Sequence, residues 1–336
     1  MKLEVSILCA LALLATTVNA KYLINFVRDA KGDMRLVNPN PYSVIDTHLE
    51  PFFNAETDTV FRLYTRKNPK EGQILKPNET SSVNSSNFNP QHQTRFLVHG
   101  WIQDGNSEMQ SLIRNSYLAI GDFNVINVDW GMGAQTINYI TARYRVASVG
   151  LVISNMIDTL VNGAGISLDT IYVIGHSLGG HVAGVVGKHQ NGRINSIIGL
   201  DPAGPLFSAD NDDVLSEKDA QYVETVFTNA GQLGFYGSLG GANFYANGGS
   251  SQPGCGFDLF GSCAHARAWS YFAESVTSSV GFRATRCQSH DDLAAGQCVS
   301  SSSDGVTMGG EPSNHGKGVE GFYLICTNSE EPYAKG

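Results

Sequence analysis

One serine in this sequence lies midway between two glycines, in Gly175-His176-Ser177-Leu178-Gly179. Four β-forming residues, 171–174, precede this pattern and a run of small residues follows it, which predicts a strand, a sharp turn and a helix. At such a turn the main chain approaches both neighbouring elements, so the positions of the two glycines cannot carry side chains. The hydroxyl is then held beside a helix N-terminus, where negative charge is stabilised. Ser177 is therefore a candidate nucleophile for acyl transfer; a glycine-rich turn with an incidental serine is the alternative.

A serine nucleophile needs a base to accept its proton and a carboxylate to orient that base. Asp201 follows the next predicted strand, so it should reach the same crevice, although an aspartate before a proline is also common in turns. Three histidines lie downstream. We favour His265 as the base because a disulfide at Cys263 could hold it rigidly, whereas His290 and His315 lie in predicted polar loops.

The oxyanion formed by acyl transfer needs two backbone N–H donors, each worth roughly 3–4 kcal/mol in the transition state. Leu178, which follows the candidate nucleophile, is expected to supply one. Trp101 follows a predicted strand ending at His99-Gly100 and is our candidate for the second; it could equally serve as an aromatic wall of the pocket. His176 is adjacent to the serine, so it should pack or bond beneath the turn rather than act as the base.

The elements that position these residues alternate between strands and helices from about residue 94 to 230. This alternation predicts βαβ units, a mostly parallel sheet and an α/β fold class. We expect a polar surface loop over 66–93 and an irregular glycine-rich segment over 231–262. The predicted strands are 22–27, 60–64, 94–100, 124–130, 171–174, 194–200, 222–228 and 321–327, and the predicted helices are 106–119, 137–160 and 264–275.

The composition of the chain argues against some classes of function. The chain has 336 residues, 42% of them hydrophobic, and a formal net charge of −9. The length suits one large α/β domain, and the absence of a basic run of five residues argues against a nucleic-acid partner. Beyond the first 20 residues the sequence offers no apolar run of 18, so we expect no transmembrane segment.

The N-terminus has the pattern of a secretory signal over residues 1–20: Lys2, an apolar stretch over 5–15 and small residues at 18–20. We therefore expect a secreted, extracellular protein whose mature domain covers residues 21–336. Two sequons in the polar loop, at Asn78 and Asn84, predict glycosylation.

Five cysteines remain after the predicted signal: Cys255, Cys263, Cys287, Cys298 and Cys326. An oxidising compartment and the lack of a C-x-x-C pair favour disulfides over a metal site. We predict neither a metal nor an organic cofactor.

The motifs together resemble the animal pancreatic-lipase family. The matching segments run in order along the chain: 95–101, 175–179, 199–205, 247–255 and 262–265. The resemblance implies an α/β-hydrolase fold and hydrolysis of carboxyl esters of lipids. It also implies Ser177, Asp201 and His265 as nucleophile, acid and base, in agreement with the choice made from the residues.

The resemblance also implies the disulfides Cys255–Cys263 and Cys287–Cys298, which leaves Cys326 as a free thiol that we expect to be buried. The family's calcium loop is only partly matched. Asp219 agrees, but a companion acidic position is Ser216. We therefore predict that no calcium is bound.

Two departures from the larger family members bear on the substrate. The chain ends before their C-terminal β-sandwich, so we expect a single domain. Cys255 and Cys263 enclose only residues 256–262 where those members carry a long lid, and the preceding segment 231–243 is also short. Both features resemble the phospholipase A1 branch, which includes venom enzymes and insect digestive relatives.

The sequence thus predicts a serine esterase of lipid degradation that cleaves the sn-1 ester of phospholipids at a micelle or membrane surface. A triacylglycerol lipase or a galactolipase is the alternative within enzymes. A non-catalytic, yolk-protein-like lipid-binding protein is the alternative from another class, which the retained triad disfavours. Phe257, Leu259 and Phe260 form an apolar lid tip that either contacts lipid or folds inward; no protein partner is indicated.

Overall fold

The structure is a computed structural model that describes residues 52–294, 298 and 305–336, together with the backbone of two short N-terminal strands. These strands, β1 (Asn25–Arg28) and β2 (Met34–Val37), pair antiparallel, and β1 overlaps the predicted strand 22–27. The predicted signal and its cleavage site lie outside the described residues.

The other strands form one eleven-stranded sheet in the order β12-β11-β13-β10-β9-β8-β7-β5-β6-β3-β4. All neighbours from β13 through to β6 are parallel, while the strands at both edges run antiparallel. The predicted α/β fold with a mostly parallel sheet is therefore confirmed. The strands are β3 (Val60–Tyr64), β4 (Gln73–Leu75), β5 (Gln93–Val98), β6 (Phe123–Asp129), β7 (Ile171–His176), β8 (Ser196–Leu200), β9 (Tyr222–Phe227), β10 (Ala242–Ala246), β11 (Phe282–Cys287), β12 (Thr307–Met308) and β13 (Gly321–Ile325).

Helices cover both faces of this sheet, so that two cores form. Successive residues of β5 show the division: Phe96 and Val98 belong to one core and Leu97 to the other. The helices are α1 (Ala55–Asp58), α2 (Thr80–Asn84), α3 (Glu108–Ile120), α4 (Gly131–Ala134), α5 (Tyr139–Ala164), α6 (Leu178–His189), α7 (Ser262–Thr277) and α8 (His290–Ala294).

Helix α5 is the longest helix, with 26 residues. The Asn138 side chain accepts from the N–H of Ile140 to begin it, and Gly165, at a φ of 72°, ends it. By length and composition alone α5 could cross a membrane, which the sequence analysis did not foresee; more than half of its most apolar window is buried. A Cβ at Gly150 would lie 2.5 Å from Val185 Cγ1, so α5 packs closely on α6 as a core helix.

Two glycines in the second half of α6, Gly184 and Gly187, have a different packing role from the one the sequence suggests. We expected them to let the helix approach its own strand. Instead, a Cβ at Gly184 would lie 2.7 Å from Leu215 Cα, and one at Gly187 would lie 2.1 Å from the Asp219 carbonyl oxygen. These glycines therefore admit the segment that follows β8 rather than the strand beneath.

Several elements do not follow the sequence predictions. Strand β10 lies inside the segment predicted to be irregular, because its five buried residues are flanked by glycines that hide the pattern. Strand β4 and helix α2 lie inside the predicted loop 66–93. Strands β11 and β12 were also missed; both are at one edge of the sheet, where only the two end residues of β11 and one residue of β12 are buried.

Candidate active site

Ser177 occupies a strained turn between β7 and α6, with φ 57° and ψ −123°. A Cβ at Gly175 would lie 2.0 Å from the carbonyl oxygen of Gly179, and one at Gly179 would lie 2.2 Å from that of Val98. Both contacts are with backbone, which cannot move aside. The turn therefore excludes side chains at both glycines, for the steric reason the sequence indicated.

Asp201 lies immediately after β8 and is fully buried. Its Oδ1 accepts from the backbone N–H groups of Thr228 and Asn229 at 2.9 and 3.0 Å. Its Oδ2 accepts from Nδ1 of His265 at 2.5 Å. The carboxylate thus places the proton of His265 on Nδ1 and leaves Nε2 as the basic nitrogen, the arrangement that a general base requires.

The backbone of His265 is held on both sides. Its N–H donates to the carbonyl of Gly261 at 2.8 Å, and its own carbonyl accepts from His176 Nε2 at 3.1 Å. The two imidazole rings lie 4.4 Å apart. Burial, and next the neighbouring His265, hold the pKa of His176 well below its usual value. His176 therefore supports the base as a neutral donor beneath the turn, the bonding role that the sequence suggests.

Ser177 and His265 line the same pocket, which has a volume of about 990 Å³. Among the described residues no hydrogen bond joins the serine hydroxyl to the imidazole; such bonds commonly tighten only when substrate is present. The other two candidate bases lie elsewhere. His290 packs edge-on against Tyr245, and His315 lies over Tyr222.

The loop after β5 lies directly against the nucleophile: a Cβ at Gly100 would be 2.7 Å from Ser177 Cβ. The N–H of Gly100 is used by Gln103 Oε1 at 2.9 Å, whereas the N–H groups of Trp101 and Leu178 have no partner among the described residues. Both amides are therefore available as hydrogen-bond donors, and their assignment as the oxyanion donors remains a prediction. Gln103, which fixes this loop, was not foreseen because its role depends on the folded loop.

Trp101 also forms part of the pocket wall. Its indole Nε1 donates to the carbonyl of Thr136 at 2.7 Å, and its ring meets Tyr139 edge-on at 5.2 Å. Both roles weighed for this residue are therefore compatible with the geometry.

Both predicted disulfides, Cys255–Cys263 and Cys287–Cys298, are present. Cys326 is free, but it is exposed, so the expectation of a buried thiol is wrong. Cys326 directly follows β13 and lies between the buried residues Ile325 and Thr327, so the alternation of an extended chain directs its side chain to the solvent.

The short lid closed by the first disulfide lies at the pocket mouth. Phe257, Leu259 and Phe260 line the pocket yet are 90%, 66% and 77% exposed. Inward packing of the lid tip, the alternative left open by the sequence, therefore does not occur in this structure. Apolar side chains of this size exposed together mark an interaction surface.

The remaining candidate positions lie at the surface or are engaged by protein groups. Asn78 and Asn84 are exposed, as glycan acceptors must be. Asp219, the one match to the family's calcium loop, pairs with Lys188 at 2.6 Å and accepts from the N–H and hydroxyl of Ser216. Its carboxylate is thus already neutralised by a protein cation.

A doubly covered, mostly parallel sheet, with a serine in a strained strand-to-helix turn and a hydrogen-bonded acid–histidine pair facing it, defines the α/β-hydrolase class. The sequence model described as Lipase matches residues 37–333. The chain belongs to this Lipase family.

Individual relatives agree with this assignment. The chain is similar to pancreatic triacylglycerol lipase of Mus musculus, 32% identical over 302 residues, which are 82% of this chain and 64% of that protein. It is 39% identical to lipase member H-B of Xenopus laevis over 245 residues, 70% of this chain and 52% of that protein. Pancreatic lipase-related protein 2 of Homo sapiens is 32% identical over 306 residues, 83% of this chain and 65% of that protein. The chain spans between half and two thirds of the length of these relatives.

Proposed function

We propose that this chain is a secreted lipase, and more specifically a phospholipase A1 that cleaves the sn-1 acyl ester of phospholipids. The observation that carries the proposal is the pair of Asp201 and His265 in the pocket of Ser177, beneath an exposed apolar lid tip. The family and the named lipases among its relatives support an ester hydrolase acting on lipids.

In the proposed reaction, Nε2 of His265 takes the proton of the Ser177 hydroxyl as the oxygen attacks the ester carbonyl. The developing oxyanion accepts from the N–H groups of Trp101 and Leu178. The imidazolium, stabilised by Asp201, then protonates the leaving alcohol oxygen, and the lysolipid departs. Water deprotonated by His265 attacks the acyl-enzyme, and collapse of the second intermediate releases the fatty acid and returns the proton to Ser177.

The preference for phospholipids rests on the short lid. A loop of seven residues between two bonded cysteines leaves the pocket mouth open to a bulky polar headgroup. The exposed Phe257, Leu259 and Phe260 give that mouth an apolar tip that fits among acyl chains. A longer lid would add apolar surface suited to an oil droplet.

The substrate assignment is tested by a panel of lipid classes. The purified chain is incubated with phosphatidylcholine micelles, galactolipid micelles and emulsified triolein. We expect the highest rate on phosphatidylcholine, with the fatty acid released from the sn-1 position. A higher rate on triolein would instead favour the triacylglycerol lipase, and hydrolysis of none of the three would favour a lipid-binding protein.

Secretion belongs to the same proposal. Residues 1–20 are proposed to be removed as a signal, giving a mature domain over 21–336, and Asn78 and Asn84 are proposed to carry glycans. When the chain is expressed in insect cells, we expect the protein to be recovered from the culture medium. Its first residue should be Lys21, and its mass should fall after treatment with an enzyme that removes glycans.

A further inference from the structure

We propose that Asp258, a residue of the short lid, is a positioning residue that neutralises the N-terminus of α7 and thereby sustains the basicity of His265. This inference rests on the proposed function, because it requires His265 to act as the base. No sequence motif singles out Asp258; its role arises from the way the lid folds back onto the helix.

Helix α7 begins after Gly261, whose φ is 71° and which has no side chain to cap the helix. Asp258 replaces the missing cap from three residues earlier. Its Oδ2 accepts from the N–H of Ala264 at 2.8 Å, and its Oδ1 from that of Cys263 at 3.3 Å. Its carbonyl also accepts from the N–H of Gly261 at 3.1 Å, which fixes the fold of the lid.

His265 is the fourth residue of α7, and its ring is therefore within one turn of the helix N-terminus. A bare N-terminus carries about half a positive charge, and a positive charge at this point opposes the imidazolium that forms when the base takes a proton. The carboxylate of Asp258 offsets that charge where it arises. Asp258 also lines the catalytic pocket, so its charge acts on the reaction site itself.

The other described groups around His265 do not bind the N–H groups at the start of α7, so they do not offset the charge of the helix N-terminus. Asp201 binds Nδ1 of the ring from the loop after β8 and fixes its orientation. His176 packs against the ring from the turn, but burial keeps its pKa low and the ring neutral. Arg267, two residues further along α7, is directed away: it stacks on Tyr333 and donates to the carbonyl of Ser329.

The test compares Asp258→Asn with wild type on a soluble ester, p-nitrophenyl butyrate, so that lipid binding does not enter. The amide keeps the size and one acceptor but removes the charge. We expect the acidic limb of the pH profile of kcat/KM to shift to lower pH by about half a unit or more. The plateau value of kcat/KM should fall about 3- to 10-fold. Asp258→Ser, which also removes the charge, should give the same shift, and Asp258→Glu, which keeps it, should retain the wild-type limb.

Asp122→Asn is the matched control. It removes the same charge from an exposed ion pair with Arg66, near the C-terminal end of α7 and away from the catalytic pocket, and should leave the profile unchanged. If the neutral variants have a lower plateau of kcat/KM but the acidic limb stays at the wild-type pH, Asp258 acts only as a structural cap of the helix. That result would overturn the inference. If Ser177→Ala keeps wild-type activity, the proposed function fails instead, independently of Asp258. The thermal unfolding midpoint of each variant separates loss of fold from loss of basicity.

Discussion

At the scale of single residues, the position of the candidate nucleophile depends on the absence of side chains at two neighbouring glycines. Ser177 adopts a backbone conformation that is unfavourable for a side chain, and the structure tolerates it because β7 and α6 are packed on both sides of the turn. Gly175 and Gly179 allow that packing because a Cβ at either position would collide with a backbone oxygen. Leu178, whose N–H is a proposed oxyanion donor, is the first residue of α6 after this turn.

Gly179→Ala should disrupt the turn. Its Cβ would lie 2.2 Å from a carbonyl oxygen of β5 that belongs to the centre of the sheet and cannot shift. We expect a loss of at least about 3 kcal/mol in the free energy of unfolding, or failure to fold, as measured by urea denaturation. Gly241→Ala is the control, because the nearest atom to its Cβ is at 3.9 Å; equal losses in the two variants would contradict the steric account.

At the scale of elements, the lid loop is closed at its base and anchored in its middle, while the apolar residues on either side of that anchor are exposed. The disulfide Cys255–Cys263 closes its base, and Asp258 attaches it to α7. Within the part of the chain that the structure describes, no protein surface covers the three apolar residues of the tip. A lipid surface is the occupant that the proposed function supplies.

Replacing both Phe257 and Phe260 by Ser should weaken binding to phosphatidylcholine liposomes by about tenfold or more, since each exposed aromatic ring would bury substantial apolar area in the membrane. Co-sedimentation with liposomes measures the effect. Hydrolysis of p-nitrophenyl butyrate should change much less. Val280→Ser, an exposed site beyond the far end of α7, serves as the control; liposome binding equal to wild type in the double variant would remove the lipid role of the tip.

At the scale of the whole molecule, buried histidines tie segments together only while they are neutral. His181 on α6 bonds to the carbonyl of Ala203 at 2.7 Å and accepts from the N–H of Leu215 at 3.1 Å, so it holds the segment that follows Asp201. Burial lowers the pKa of His181 to about 3, while hydrogen bonding to Ala203 partly opposes that shift. Phe207 stacks on its ring at 3.7 Å.

The pH dependence of stability follows from this shift. The unfolded chain protonates His181 near its usual pKa of 6.5, whereas the folded chain does so only near pH 3. Its stabilising contribution is thus complete above about pH 6.5 and is lost as the pH falls. Burial raises the pKa of Glu224, so this residue changes the free energy of unfolding with pH in the opposite direction. The pH dependence of wild-type stability alone therefore does not reveal the contribution of His181.

The variant His181→Gln isolates the effect. Between pH 6 and 5 the free energy of unfolding of wild type should fall more steeply than that of the variant, by about 1 kcal/mol per pH unit. Urea titrations at several pH values measure both slopes. His315→Gln, at a half-buried surface site, is the control; parallel slopes for wild type and His181→Gln would contradict the assignment.

Much of this architecture could be predicted from local pattern, and the rest depends on tertiary contacts. The buried runs of β5, β7 and β8 are continuous and apolar, so periodicity and neighbouring glycines locate both the strands and the residues at their carboxyl ends. Strand β10 was missed because its environment, not its propensity, makes it a strand. Gln103 and Asp258 were missed because each bonds to backbone groups that only the folded loop brings within reach.

The central claim is that Ser177 is the nucleophile and His265 its base, and covalent labelling tests it most directly. A fluorophosphonate probe is incubated with the folded chain, and the modified peptide is located by mass spectrometry. We predict a single adduct on Ser177 in wild type, none in Ser177→Ala, much slower labelling in His265→Ala, and loss of ester hydrolysis in both variants. An adduct on another residue, or wild-type hydrolysis by Ser177→Ala, would contradict the account.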